Sequence, residues 1–283
     1  MDNELYSELK VAKDALHRYS GSKVEDFQPY LLLTNFPKYV IYFAEKYGVP
    51  VTTGSMFTAA HAPAVGISIL DFKIGSPAAA FVIDLCARTP FKAALLLGMC
   101  GGLRKHYSVG EYFLPVAGIR KEGTSDFYLP PEVPAMANFL VQKAVTNILD
   151  QEHINYHIGI TYTTNIRFWE FNDRFKEELK RTHAQAVEME CATVFTASYR
   201  YKLPVGALLL ISDLPLFREG AKTKASSEQI FATYMDAHVD AGIRILQHLR
   251  GLQEKHSKGA FRGSPTKPEA AQGFEYEAVT TPG

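Results

Sequence analysis

Apolar residues along this chain gather in short blocks, separated by segments in which apolar positions recur three or four apart. The blocks are YLLLTN ending at Asn35, GISILDF ending at Phe72, AALLLG ending at Gly98, EYFLPVAGI from Glu111, HIGITYT from His157 and VGALLLIS from Val205. None alternates strictly. A strand with one wet face alternates polar and apolar residues, so continuous runs of this length predict strands buried on both faces. Between them, PKYVIYFAEKYG and PAAAFVIDLCAR carry proline in the first helical turn, and the former closes on Gly48, which can take a C-cap conformation. Ile230, Tyr234, His238, Ala241, Ile245 and Leu249 keep helical spacing and predict a long amphipathic helix packed on the sheet. The alternation of strands and helices predicts a layered α/β fold.

From about Glu254 the pattern stops. Gly, Pro, Lys, Thr and Ala dominate, and apart from Phe261, Phe274 and Tyr276 almost nothing apolar remains. We therefore expect one domain over residues 1–253 and a flexible tail over 254–283. Composition adds exclusions. Thirty basic and thirty acidic residues cancel, so no global field draws the chain to nucleic acid or an anionic membrane, and any bound anion must be held locally. Cys86, Cys100 and Cys191 lie far apart without a CxxC pair, which argues against a disulfide framework or a zinc knuckle. The charged start and the absence of an apolar run near twenty residues predict a cytosolic protein.

Four segments can carry chemistry. Gly98-Met99-Cys100-Gly101-Gly102 follows a buried run, and glycines at the carboxyl end of a strand let a ligand approach the backbone; a tight turn without a ligand reads equally well. The spacing is not the GxGxxG of a dinucleotide site. Glu188-Met189-Glu190 leads into the helical pattern CATVFTASYRY. The acids could simply complement the helix dipole, or a carboxylate there could accept hydrogen bonds from vicinal ribose hydroxyls while Met189 touches the sugar face. Ile211-Ser212-Asp213 ends another buried run. Asp213 is either an N-cap or Asx turn, or an acid able to protonate N7 of a purine as the glycosidic bond breaks. Finally, TTNIRFWE brings Phe168 and Trp169 just past a strand, as a base-stacking surface or a hydrophobic staple. No HExxH, GxSxG or close His and carboxylate cluster is present, so no catalytic metal is expected.

Taken in order, LLLTNFPKY, KIGSP, LLLGMCGGL, VEMEC and ISDLP resemble the landmarks of the nucleoside phosphorylase I family over almost the whole chain before the tail. The resemblance implies a three-layer sandwich with a mixed, twisted central sheet, no cofactor, a small-molecule purine substrate, and a homo-oligomer, by family habit a hexamer. GTSDFYLPPEVPA, TTNIRFWE and SDLPLFREGAKTK resemble the family's bacterial AMP-hydrolysing members in their short form. By resemblance, Glu190 and the Met189 backbone would hold the ribose, with Glu188 beside them. Asp213 would be the general acid at N7, Phe168 or Trp169 would flank adenine, and Gly98, Cys100 and Gly101 would line the pocket.

The departures from the family pattern are informative. Phosphorylases place an arginine two residues before the glycine of GxCG and a serine after it, both gripping phosphate; here Leu96 and Met99 stand there. The GDPxR pattern has become Thr34-Asn35-Phe36-Pro37-Lys38. Each charge-assisted hydrogen bond lost to a dianion amounts to roughly 1.5 to 3 kcal/mol, so water near Thr34 or Asn35 is expected as the nucleophile rather than phosphate. A purine nucleoside phosphorylase, a nucleosidase for a related adenine nucleoside and a silent nucleotide-binding protein are the alternatives. For a substrate 5′-phosphate, Lys38, Arg104, Arg120, Arg167, Lys222 and Lys224 are candidates, with Arg167 first.

Overall fold

The computed structural model describes residues 7–217 and 224–257. Ten strands run in chain order as β1 (Tyr30–Thr34), β2 (Val51–Thr53), β3 (Thr58–Ala62), β4 (Ile67–Asp71), β5 (Ala93–Gly102), β6 (Tyr112–Lys121), β7 (Ala135–Met136), β8 (Tyr156–Thr164), β9 (Ala186–Glu188) and β10 (Val205–Asp213). The helices are α1 (Glu8–Ser20), α2 (Pro37–Tyr47), α3 (Ser76–Ala87), α4 (Phe139–Gln151), α5 (Asp173–Arg181), α6 (Cys191–Arg200) and α7 (Lys224–Ser257).

All six apolar blocks are strands, and the reason is visible in β1. Leu31 and Leu33 enter one hydrophobic cluster and Leu32 the other, because successive side chains on a strand point to opposite faces. The first cluster joins the sheet to α1, α3 and α6, and the second joins it to α2, α4 and α7. Three layers result, around a sheet that is mixed as expected: β1, β4, β5 and β10 are mutually parallel, while β6 and β10 pair antiparallel. α7 carries its stripe as predicted, with Ile230, His238, Ala241, Ile245 and Leu249 buried. Its polar member is satisfied: His238 Nδ1 lies 2.9 Å from the Tyr39 hydroxyl and Nε2 lies 3.0 Å from the Leu208 carbonyl. Burial holds its pKa down to about 4, so the ring stays neutral. α7 runs to Ser257 and thus includes residues 254–257 of the expected tail; residues 258–283 lie outside the described residues.

One topological feature positions the site. β5 pairs with β10, β10 with β6, β6 with β8, β8 with β9, and β9 returns to β5, so five strands close a ring at one end of the open sheet. β9 meets β5 only at Ala186 and Val187, opposite Gly102 and Gly101. The pairing is antiparallel and confined to the last two residues of β5, so the carboxyl end of β5 lies against the short β9, whose own carboxyl end runs on beside that of β8. Among the described residues no helix is long and apolar enough to cross a membrane.

Candidate active site

The convergent strand ends enclose a cavity with about 650 Å³ of free space, part of it open to solvent. Asn35 and Phe36 enter from the end of β1, Met99, Cys100 and Gly101 from β5, Thr164 from β8, Val187 through Glu190 from β9, and Ser212 and Asp213 from β10. Ile74 comes from the loop before α3, and Ile166, Arg167, Trp169 and Glu170 come from the segment after β8.

Asp213 owes its direction to an irregularity in pairing. Ile211 faces Cys100 and Asp213 faces Gly101, so Ser212 is an extra residue on β10. A bulge of this kind re-aims the next side chain. The Ser212 hydroxyl lies 2.5 Å from Asp213 Oδ1 and 3.3 Å from the Cys100 carbonyl, fixing the carboxyl at the rim. Gly101 is required by crowding: a Cβ there would sit 2.9 Å from Pro215 and 3.1 Å from Val187.

Glu190 is 5 % exposed and accepts a 2.7 Å hydrogen bond from the Gly75 N–H and another from the Asn35 amide. Gly75 has φ 97° and ψ 156°, a region open essentially to glycine alone, and that conformation places its N–H against Glu190. The Ser76 hydroxyl donates to the Met189 carbonyl at 2.7 Å, tying the same turn to the start of α3. Burial, and then the charge of Glu188, push the Glu190 carboxyl up to about 8.

Glu188 is occupied differently. One oxygen accepts the Thr163 hydroxyl, and the other accepts the N–H groups of Glu190 at 2.7 Å and Cys191 at 2.6 Å. It therefore ties the start of α6 to β8 and holds the turn that presents Glu190. Its own carboxyl is raised by burial.

Several expected ligands sit elsewhere. Phe168 is 80 % exposed, its ring 5.5 Å from Phe171, and it does not line the cavity. Trp169 lines the wall, yet its ring is buried and packs 5.2 Å from Phe175, so it anchors the segment as a staple would. Thr34, Gly98 and Lys38 are not in the lining. Thr34, the buried last residue of β1, and Gly98, inside β5 and backed by Leu209, are held within the sheet, and the Lys38 ammonium lies 4.9 Å over the Phe231 ring.

Of the six cations considered for a phosphate, only Arg167 lines the cavity among the described residues. Lys222 lies outside the described residues, and Lys224 is exposed at the start of α7 beside Glu228. Arg104 donates to the carbonyls of Leu103, His183 and Ala184. Arg120, its side chain 6 % exposed, donates to Ser125, Asp126 and the carbonyls of Leu129, Pro130 and Val133. Arg120→Ala removes this buried clamp and leaves several carbonyls unpaired; we expect unfolding in denaturant to show a loss of about 3 to 5 kcal/mol, and a loss under about 1 kcal/mol would refute the clamp.

The short pattern readings missed Gly75, Ser212 and Glu170. KIGSP and ISD contain the first two, but their contributions are a backbone N–H and a bulge, which composition does not encode. Glu170 was hidden because its partner, Arg167, is specified only by local geometry. No group of three or more His, Cys, Asp or Glu among the described residues is arranged to hold a metal ion.

Residues 28–246 match the model of the phosphorylase superfamily. The AMP nucleosidase of Escherichia coli K12 is 28% identical over 292 residues, covering 86% of this chain and 60% of that protein, so the chain spans less than two thirds of that relative's length. The crystal structure of AMP nucleosidase from Bacteroides thetaiotaomicron superposes with a TM-score of 0.78 at 37% identity, covering 88% of this chain and all of that one. Uridine phosphorylase from Vibrio fischeri, at 18% identity and a TM-score of 0.69 over 81% of this chain and 93% of that one, shares the fold. With the matched region spanning every strand described above, the chain belongs to the phosphorylase superfamily.

Proposed function

We propose that this chain is an N-glycosyl hydrolase that converts AMP and water to adenine and ribose 5-phosphate. The observation that carries the reading is the scarcity of anion-gripping groups in the cavity: among the described residues that line it, Arg167 is the one cation, and Glu170 is already paired with it. With no further cation to hold it, an orthophosphate dianion at C1′ lacks the charge-assisted hydrogen bonds it needs, whereas neutral water requires none. The AMP nucleosidase names of the Bacteroides and Escherichia proteins favour the same substrate.

In this reading, Glu190 accepts hydrogen bonds from the ribose hydroxyls, its other contacts to Gly75 and Asn35 holding it in place. The C1′–N9 bond breaks with its electron pair moving onto adenine, and Asp213 delivers a proton to N7, stabilising the departing base. Water entering beside Asn35 adds to the electron-poor C1′ and loses a proton, which restores Asp213. Arg167 seats the 5′-phosphate, and Met189 and Ile74 cover apolar faces of the ligand. Phe168, exposed outside the cavity, is assigned no contact.

Assembly as a homo-oligomer, a hexamer by the family habit, and residence in the cytoplasm belong to the same proposal. Val116, Met136, Ile158 and Ile160 are exposed on the neighbouring strands β6, β7 and β8, an apolar face of the kind that subunit contacts cover.

The deciding assay incubates the protein with AMP, with and without orthophosphate, and identifies the sugar. Ribose 5-phosphate formed at equal rates in both is expected; a phosphorylated C1′ product formed only with orthophosphate would make the chain a phosphorylase. Adenosine in parallel measures what the 5′-phosphate contributes, and binding of AMP without any adenine release would support a silent binding protein.

A further inference from the structure

We propose that Glu170 is a specificity-determining residue: it keeps the Arg167 guanidinium from capturing free orthophosphate and so reserves it for a phosphate carried on the substrate. This rests on the reading that Arg167 seats the 5′-phosphate.

The two side chains form an ion pair, Nη1 to Oε1, at 3.0 Å, and both line the cavity. Unlike most pairs three residues apart, this one is pinned from one side. The second Glu170 oxygen accepts the Trp169 N–H at 3.1 Å, and Trp169 is itself buried against Phe175. The Glu170 side chain is 15 % exposed and that of Arg167 57 %. An arriving anion therefore meets a guanidinium whose neutralising partner is fixed to the wall and does not leave with the solvent.

Such a seat discriminates by how the anion arrives. Free orthophosphate must be held by the guanidinium alone, and the carboxylate at 3.0 Å cancels most of its attraction. A phosphate tethered to a ribose already gripped at Glu190 is delivered at high effective concentration, so it tolerates a weak seat. The guanidinium has five donors in a fork, leaving edges beyond the Nη1 contact for phosphate oxygens. Repulsion built into a site against the wrong ligand is a general route to specificity.

Glu170→Gln tests this, because the amide oxygen can still accept the Trp169 N–H while the charge is removed. Orthophosphate inhibition of AMP hydrolysis should strengthen by about ten-fold at low ionic strength, with the gain shrinking in salt. The KM for AMP should fall by a smaller factor, roughly two- to three-fold, and inhibition by adenine, which has no phosphate, reports general damage to the cavity. Glu170→Asp, which keeps the charge, should leave orthophosphate a poor inhibitor. If Glu170→Gln leaves the orthophosphate constant within about two-fold, or weakens both it and AMP, Glu170 merely orients the arginine and the proposal fails. Arg167→Ala separates the two levels: a KM for AMP unchanged by it would remove the phosphate seat from Arg167 and this proposal with it, whatever the product assay shows about hydrolysis.

Discussion

Replacing Asp213 with Asn is expected to lower kcat for AMP by about a thousand-fold, within the range that proton transfer from a positioned acid contributes, while AMP still raises the thermal midpoint of the protein. The carboxyl sits past a bulge in β10, with Ser212 2.5 Å from Oδ1. Asparagine is isosteric and can keep the Ser212 contact, so geometry survives and only the transferable proton is lost. Without it, the adenine anion must leave unprotonated. If the Asp213→Asn protein retained more than about a tenth of the parent kcat, Asp213 would not be the acid. Ser212→Ala offers a finer reading: the acid remains but loses its orienting partner, and a fall of about ten-fold in kcat with little change in KM is expected.

Glu190→Gln should trade activity against stability, with the sign set by pH. In the folded chain this carboxyl is raised from 4.5 to about 8, so between these values unfolding releases a proton. Stability from the protonated group is fully present below pH 4.5 and is lost as pH rises through about 8. Glutamine cannot ionise. The variant should therefore match the parent near pH 4.5 and exceed it at about pH 8 and above, by on the order of a few kcal/mol, in denaturant titrations run at both values. Activity should move the opposite way, because two charge-assisted acceptors for ribose hydroxyls become one neutral acceptor; kcat/KM is expected to fall by roughly two orders of magnitude. In the parent, kcat/KM should rise with pH toward about 8 as the carboxyl ionises. A Glu190→Gln protein less stable than the parent at the upper pH would overturn the assignment of burial strain to this group.

What could be read from residues alone follows from how each feature is encoded. The six long apolar blocks announced the strands that carry the core, since burial on both faces leaves an unbroken apolar record. The ring was not legible: β9 is three residues long and was absorbed into the start of α6, and β5 continues four residues past Gly98 to meet it. α5, reading DRFKEELKR, buries only Phe175 and Leu179, too little pattern to stand out. That Asp213 and Glu190 stand at strand ends was legible from the motifs around them, and both line the cavity. Arg120 and Arg104 show the limit of that logic: an arginine beside a site segment looks like an anion ligand, but its fate depends on which carbonyls lie within reach, and both are taken up by backbone oxygens. Glu188 likewise read as a substrate ligand, while the fold turns its oxygens toward α6 and β8.

The ring through β5 has a further consequence. Its members arrive from positions spread between Ala93 and Asp213, and the last of them, β10, inserts between β5 and β6 and carries the acid at its end. A nascent or refolding chain can pack β1, β4 and β5 early, yet it acquires a working cavity only when β10 locks the circle. Recovery of turnover after denaturation should accordingly lag behind recovery of helical signal, and a clip between α6 and β10 should extinguish turnover while leaving much of the secondary structure standing.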